Sequence, residues 1–339
     1  MSLRNWGGAA VSHSSESVKA EAVKAEEPRV FIVHENPEWL PPLLEGFARE
    51  SVPVEEILAT GGAIDLDARP RPGVYWSRLS ASAHTRGNGS AKEFTRSLLS
   101  WVEASGVPVI NGTRVVELEV SKVRQHALLA AAGFDVPRTI AVLGAADLPA
   151  QARRLPLPFI TKHNQGGKGL GVRKFDTYEE FDSYVLSSQF EEPVDGVTLL
   201  QEYLVAAEPF VTRAEFIGGR FHYAVRVDIS AGSFELCPAD ACVIDPLTGQ
   251  EIAAFSLREG LADDPFIRDL ELFLGEQGVA VAGIEFIETV DGRRVTYDIN
   301  TNTNYNPLVE AAAEVPATTA LARYLGSVLR ETYPAVAVG

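Results

Sequence analysis

At 339 residues the chain exceeds what one hydrophobic core usually organises, so two or three lobes are expected. Its 46 acidic residues against 30 basic ones leave a formal charge of −16, which disfavours nonspecific nucleic-acid binding because phosphate contacts need a basic surface. No uninterrupted apolar run reaches the length of about 18 residues read as a transmembrane helix, and the opening Met1-Ser-Leu-Arg-Asn-Trp-Gly-Gly-Ala-Ala-Val11 lacks the apolar stretch of a secretory signal.

Residues 1–27, ending in Val18-Lys-Ala-Glu-Ala-Val-Lys-Ala-Glu-Glu27, read as a charged, disordered tail with little apolar surface to bury. From Arg29-Val-Phe-Ile-Val33 a β/α pattern begins. It continues as a helix over Trp39–Glu50, a strand at Val74-Tyr-Trp76, a helix over Ala91–Ala104 and a strand at Val107-Pro-Val-Ile110. That alternation predicts a small parallel sheet with covering helices. Beyond it an α+β region is expected, with strands at 159–163, 172–175, 197–203, 211–217 and 221–227, and helices near 177–187, 264–277 and 317–331.

The segment Ser77-Arg-Leu-Ser-Ala-Ser-Ala-His-Thr-Arg-Gly-Asn-Gly-Ser90 follows a strand and precedes a helix, where α/β proteins place ligand loops. Arg78, His84 and Arg86 are candidates to bind a substrate carboxylate, the arginines bidentately, and His84 is a candidate general base. The same composition also suits a solvated polar loop.

Further along, Phe159-Ile160-Thr161 reads as a strand entering Lys162, followed by Asn164-Gln-Gly-Gly-Lys-Gly-Leu-Gly171. Glycines let backbone N–H groups approach anionic oxygens, and successive N–H groups form an anion-binding nest. Lys162 and Lys168 add charge of the right sign. The G-x-x-x-x-G-K-[ST] phosphate loop is absent, and so is the G-x-G-x-x-G spacing. Taken alone, such a cluster reads more often as a mobile surface loop.

Asp291-Gly292 is a two-residue turn signal. With that turn, residues whose numbers sum to 583 lie opposite each other: Glu285 faces Asp298 and Gly283 faces Asn300. On the other face Ile284 meets Ile299, Phe286 meets Tyr297 and Glu288 meets Val295. Opposed side chains have Cβ atoms about 4.5–5.5 Å apart, and like charges there repel, so a cation is expected between the carboxylates. Magnesium takes oxygen ligands and commonly uses one or two carboxylates plus substrate phosphates. A bulge in either strand, or one carboxylate turned to solvent, would dissolve the pair.

These motifs fall in an order that carries a resemblance. Ser121-Lys122 opens a helix that runs into Ala132-Gly-Phe-Asp-Val-Pro-Arg-Thr139; then come Lys162 and the glycine loop, Leu200-Gln-Glu-Tyr-Leu204, and Thr212-Arg-Ala-Glu-Phe-Ile-Gly-Gly219. Ala224-Val-Arg226, Gly283-Ile-Glu285 and Asp298-Ile-Asn300 complete the series. Together they resemble the ATP-grasp superfamily, closest to the branch of ribosomal-protein glutamate ligases and related amino-acid ligases. The resemblance implies an N-terminal parallel α/β domain over 28–115 and two α+β lobes clasping ATP, a lid lobe over 116–197 and a metal-bearing lobe over 198–335.

It also implies roles. Lys122 and Lys162 would contact ATP phosphates, and the loop containing Gln165, Gly166, Gly167, Lys168 and Gly169 would close over the triphosphate. Gln201, Glu202, Tyr203 and Leu204 would form the hinge that holds adenine. Arg213 and Arg226 would stabilise the transferred phosphoryl group, and Glu285, Asp298 and Asn300 would hold magnesium, with manganese as a substitute. An acidic residue usual in the branch two positions before Arg213 is replaced by Val211, and Glu208 is the candidate to take over ribose binding. Asp298 replaces a more usual glutamate, and the following Thr301-Asn-Thr-Asn-Tyr-Asn-Pro307 is rich in asparagine; Asn304 and Asn306 either orient substrate or cap the turn before Pro307.

The implied activity is an ATP-dependent carboxylate–amine ligase that makes an amide through an acyl-phosphate, acting on an amino acid or small peptide. Alternatives are a kinase of the same fold acting on a small hydroxyl substrate, and an ATP-binding regulatory protein without chemistry. Cys237 and Cys242 lack the second pair a zinc site would want and read as reduced thiols. A cytoplasmic protein is expected, with small carboxylate and amine substrates, possibly peptidic, no nucleic-acid or membrane partner, and a homo-oligomer as a family-level expectation.

Overall fold

The computed structural model describes residues 26–167, 169, 171–230, 243–244, 251–252 and 254–334. Lys168, Cys237 and Cys242, and the expected tail up to residue 25, lie outside the described residues.

The N-terminal part is a four-stranded parallel sheet in the order β2-β1-β3-β4, formed by β1 (Arg29–His34), β2 (Val54–Leu58), β3 (Gly73–Arg78) and β4 (Val109–Ile110). β1 and β3 are buried on both faces, as a covered parallel sheet requires. One face packs on α1 (Pro41–Arg49) and on the C-terminal helix, burying Trp76, Phe47 and Leu325; the other packs on α2 (Ala91–Ala104) through Tyr75 and Leu99.

Next come α3 (Thr113–Glu119) and α4 (Lys122–Ala131), followed by a four-stranded antiparallel sheet in the region expected to form the lid lobe. Its order is β5-β8-β6-β7, from β5 (Thr139–Leu143), β6 (Phe159–His163), β7 (Arg173–Phe175) and β8 (Val197–Glu202). α5 (Leu148–Ala152) and α6 (Tyr178–Val185) cover it over a core of Phe159, Phe175 and Phe181.

The third sheet is antiparallel, β13-β10-β9-β14-β15, built from β9 (Phe210–Ile217), β10 (Arg220–Asp228), β13 (Phe255–Arg258), β14 (Val281–Glu288) and β15 (Arg294–Asn300). A two-stranded ribbon of β11 (Val243–Ile244) and β12 (Glu251–Ile252) precedes β13. One face of the large sheet carries Phe216, Ile284, Phe286 and Ile299 onto α7 (Pro265–Gln277) and onto α3 and α4, so those two helices share this core rather than the lid's. α8 (Pro307–Ala312) and α9 (Ala317–Thr332) end the fold, α9 against the N-terminal sheet. Among the described residues no helix is long and apolar enough to cross a membrane.

Asn111 locks the parallel sheet to the large one. It sits at φ 53°, a conformation asparagine tolerates better than most residues. Its buried amide donates to Val281 O (2.8 Å) and Thr301 O (3.2 Å) and accepts from Ala280 N (3.1 Å) and Val281 N (3.2 Å). Asn111→Ala strips those partners from buried backbone groups, and unfolding in urea should show a loss of about 3 kcal/mol; a loss below about 1 kcal/mol would show that the amide is not the lock.

Candidate functional site

The expected hairpin forms, by a different route. The turn is three residues long: Thr289 and Arg293 pair through Thr289 N–H to Arg293 O (2.9 Å), and only Gly292 of the loop has positive φ, at 82°. A type I′ turn, with positive φ at both central residues, is therefore not what closes it. Near the turn the partners are Glu288–Arg294, Ile287–Val295 and Phe286–Thr296, whose numbers sum to 582, not 583. Tyr297 is then an extra residue on β15, and beyond this bulge Glu285 faces Asp298, Ile284 faces Ile299 and Gly283 faces Asn300. The carboxylate pair thus stands as expected, whereas the Phe286–Tyr297 and Glu288–Val295 pairs do not. The bulge also turns Tyr297 into the cavity, close to the Glu285 and Asp298 carboxylates.

β15 is a sheet edge, and helix α4 stands in for the missing neighbour strand. Gln125 donates to Ile299 O (2.9 Å) and accepts from Ile299 N (3.0 Å), while His126 Nε2 donates to Tyr297 O (3.1 Å) at the bulge. Asp135 O accepts from Thr296 N (2.8 Å). Glu119, buried in α3, accepts from Ala81 N (3.0 Å), Thr301 N (2.7 Å) and Thr301 Oγ1 (2.9 Å), tying the loop after β3 to the end of β15; burial pushes its carboxyl up against those donors.

The carboxylates meet three cations in a cavity of about 480 Å3. Asp298 Oδ1 is 2.8 Å from Lys122 Nζ and its Oδ2 is 3.3 Å from Lys162 Nζ. Burial acts to raise the Asp298 carboxyl, but the two ammonium groups outweigh it and hold it well below the usual range. Burial also pulls Lys162 down, against the attraction of Asp298. Glu285 Oε1 is 2.9 Å from Arg213 Nη1 and accepts from Asn300 Nδ2 (3.2 Å), so Asn300 keeps its Oδ1 for another partner. The two lysines converge because Asn164, just past β6, caps α4: its Oδ1 accepts from Val123 N (2.9 Å) and its backbone O from Lys122 N (3.2 Å).

The glycine loop closes one wall, with Gly166, Gly167 and Gly169 lining the cavity and Gly166 O accepting from Lys122 Nζ (3.3 Å). Gly171 has φ 70°, and a Cβ there would lie 2.2 Å from the His163 ring. Gln165 does not line the cavity; it docks the loop on the N-terminal part, accepting from Lys92 Nζ (3.0 Å) and donating to Ala81 O (3.4 Å). At the far end Gln201, Glu202, Tyr203 and Leu204 line the cavity with the apolar side chains of Ile160, Val172, Val211 and Phe255. Among the described residues Gln201 Oε1 is buried without a partner, whereas the Glu202 carboxylate is engaged by Arg138 N (2.9 Å) and Arg293 (3.4 Å).

Several expected residues stand elsewhere. Arg226 lies opposite Thr212 while Arg213 lies opposite Val225 and Glu285, so the two arginines are on opposite faces of the sheet. Arg226 stacks 4.0 Å over Phe210, 3.9 Å from an exposed Glu208, and neither lines the cavity. Arg78 is 2% exposed and donates to Thr303 O (2.7 Å) and Asn304 Oδ1 (2.9 Å); burial brings its pKa down to about 10. Arg86 is paired with Glu35 and stacked 4.6 Å over Trp39. Neither arginine lines the cavity, nor does His84, whose pKa burial lowers. Asn306 caps α8, accepting from Leu308 N (3.0 Å) and Val309 N (3.3 Å), so of the two asparagines only Asn304 reaches the cavity.

Sequence reasoning missed the N-terminal end of the cavity, formed by Trp39, Ser80, Ala81, Ser82 and Asn302 with Asn304. The Ser77–Ser90 loop was the signal, but its serines rather than its charged residues face inward. It also missed Glu215, Gln125 and His126, which bear on the site through backbone or side-chain partners.

No protein-family model matches the chain, and no curated protein matches it in sequence. Solved structures do match. An ATP-grasp protein with a RimK domain from Sphaerobacter thermophilus superposes with a TM-score of 0.61 at 16% identity, covering 87% of this chain and 98% of the other. The ATP-grasp ligase PsnB, complexed with a minimal precursor, Mg and ADP, gives 0.60 at 16% identity over 88% and 96%. The VanG D-Ala:D-Ser ligase from Enterococcus faecalis gives 0.63 at 13% identity over 89% and 100%. The chain has the ATP-grasp fold.

His126 supplies a pH test of the edge arrangement. Burial lowers its pKa from 6.5 to about 4, against the pull of its bond to Tyr297 O. The unfolded chain therefore binds more protons between these values, and stability falls as pH drops from 6.5 towards 4, by up to about 3 kcal/mol from this group. Urea midpoints measured across that window should fall less steeply for His126→Gln; identical slopes would contradict the assignment.

Proposed function

We propose that the chain is an ATP-dependent carboxylate–amine ligase acting on an amino acid or small peptide. The observation that carries this reading is the set of two carboxylates, Glu285 and Asp298, held by Lys122, Lys162 and Arg213 inside one cavity. Buried carboxylates and cations so arranged can exchange partners for a divalent cation and phosphate oxygens without leaving a net charge uncompensated.

The residues present fit such a ligand. Gln201 Oε1, buried without a partner among the described residues, suits the amino group of adenine, and Tyr203 and Leu204 follow where the β8 ladder ends. Lys122, Lys162 and the glycine loop would take phosphate oxygens. Among the described residues no three His, Cys, Asp or Glu side chains cluster as a protein-only metal site. Glu285, Asp298 and Asn300 Oδ1 instead form the partial oxygen set that magnesium completes with phosphates. Bound there, magnesium would neutralise charge on the phosphates. Val211 lines the apolar end and Glu208 stands outside the cavity, so neither is assigned to ribose.

The chemistry then needs no protein nucleophile. A substrate carboxylate oxygen attacks the γ-phosphorus, ADP leaves, and an acyl-phosphate forms; an amine attacks the acyl carbon and phosphate leaves. Arg213 would neutralise the transferred phosphoryl group, a contribution of electrostatic positioning. Arg213 alone separates this reading from a chain that binds nucleotide without chemistry, because Arg226 faces the other side. The N-terminal end, with Trp39, Ser80, Ser82, Asn302 and Asn304, offers an aromatic surface and neutral hydrogen-bonding groups suited to amino-acid or peptide substrates. The precursor complex of PsnB and the D-Ala:D-Ser activity named for VanG support the same substrate class.

ADP formation with magnesium, measured against amino acids, amino-acid pairs and short peptides, tests the proposal. ADP release that requires a carboxylate and rises when an amine is added is expected; release that follows a hydroxyl compound would mark a kinase, and ATP binding without turnover under every pairing a regulator. Asp298→Asn should lower turnover at least about 100-fold while ADP affinity stays within a few fold, since adenine is held some distance away and loss of the negative charge beside the phosphates offsets a weaker hold on the metal. Turnover surviving at unchanged magnesium dependence would remove Asp298 from the ligand set.

A further inference from the structure

Glu215 is a buried carboxylate that the proposed chemistry leaves without a task. It lies on β9 two residues after Arg213, on the same face, with its side chain only 3% exposed, and it does not line the cavity. Its Oε1 accepts from Arg213 Nε at 2.6 Å. Both of its oxygens accept from Thr303 Oγ1, at 3.1 and 3.0 Å, and the same hydroxyl accepts from Arg213 Nη2 at 2.7 Å. Gly283 lies opposite Glu215 on β14, and a Cβ there would meet Arg213 Nε and Nη2 at 2.6 Å. The guanidinium thus lies across a glycine, with its Nε–Nη2 edge closed off by Glu215 and Thr303 and its Nη1 directed at Glu285.

The two carboxylates on Arg213 are not equivalent. Glu285 lines the cavity and is a proposed metal ligand; Glu215 is sealed behind the arginine. A cation that draws Glu285 away releases Nη1, whereas the Glu215 edge stays bound. Burial acts against the charge of Arg213, and Glu215 and Glu285 together more than offset it, so the guanidinium stays charged.

We propose that Glu215, with Thr303, is a positioning residue that holds the Nη1 edge of Arg213 towards the γ-phosphoryl group of the nucleotide. This rests on the ligase reading of the same site. Fixing a planar, five-donor guanidinium along one edge leaves the other edge with a defined direction and no rotamer freedom to lose when an anion arrives.

Affinity for ADP and for the non-hydrolysable triphosphate AMPPNP, both with magnesium, reads this role without a known substrate. ADP has no γ-phosphate and is blind to Arg213. In Glu215→Gln and Glu215→Ala the AMPPNP affinity should fall at least about tenfold while ADP affinity stays within about threefold. Thr303→Val should move the ratio the same way by less, and Thr303→Ser should restore it. Equal losses for both nucleotides would make Glu215 a purely structural residue, and an unchanged ratio would make it irrelevant to Arg213; either result overturns the proposal. A wild-type chain that binds neither nucleotide would overturn the ligase reading itself. Wild-type binding with an unmoved ratio overturns only the role of Glu215.

Discussion

A carboxylate held between two lysines, all three taken out of water, ties the lid sheet to the large sheet. Asp298 comes from β15, Lys162 from β6 and Lys122 from the first turn of α4. None of these charges would be tolerable alone at that depth, because desolvation of a single ion costs several times what a surface pair returns. Three carboxylates, Asp298, Glu285 and Glu215, are matched by three cations, Lys122, Lys162 and Arg213. The balance lets the lid rest on the site while leaving each cavity-facing group free to change partner.

That cluster is only as well placed as the strand beneath it, and β15 is an edge. Gln125, His126 and Asp135 supply the hydrogen bonds that a neighbouring strand would otherwise give, and Glu119 and Asn111 fix the chain just beyond its end. Covering an edge with a helix and loops also prevents pairing with another chain. The same contacts bring the N-terminal sheet to the cavity, so Ser80–Ser82, Asn302 and Asn304 line the same end of it.

Strands β2, β5 and β13 went unread, whereas the fold class and strands β1, β3, β4, β6–β10, β14 and β15 were legible in the sequence, because alternation and turn residues report strands directly. Single-residue bulges were not. A two-residue turn at Gly218-Gly219 pairs Ile217 with Arg220 and Phe216 with Phe221, and continued unbroken it would put Arg213 and Arg226 on one face. His222 is an extra residue in β10, and a slip of one residue reverses every face beyond it, which carries Arg226 away from the site. On β15 the opposite happened: a longer turn and the bulge at Tyr297 offset each other, and the carboxylates met. The charges of the Ser77–Ser90 loop misled for another reason. Arg78 and Arg86 are spent on the protein's own carbonyl, amide and carboxylate groups, which no local pattern reveals.

Glu285 and Asp298 are proposed to form a site for a cation carried in with phosphates. Calorimetric titration of ADP into the wild-type chain, with magnesium and then with the metal chelated, tests it most directly. One ADP per chain should bind with magnesium, and affinity should fall at least about tenfold on chelation, because Lys122, Lys162 and Arg213 cannot neutralise both the two carboxylates and the phosphates. ADP binding that is indifferent to chelation would mean that the two carboxylates hold no cation with the phosphates.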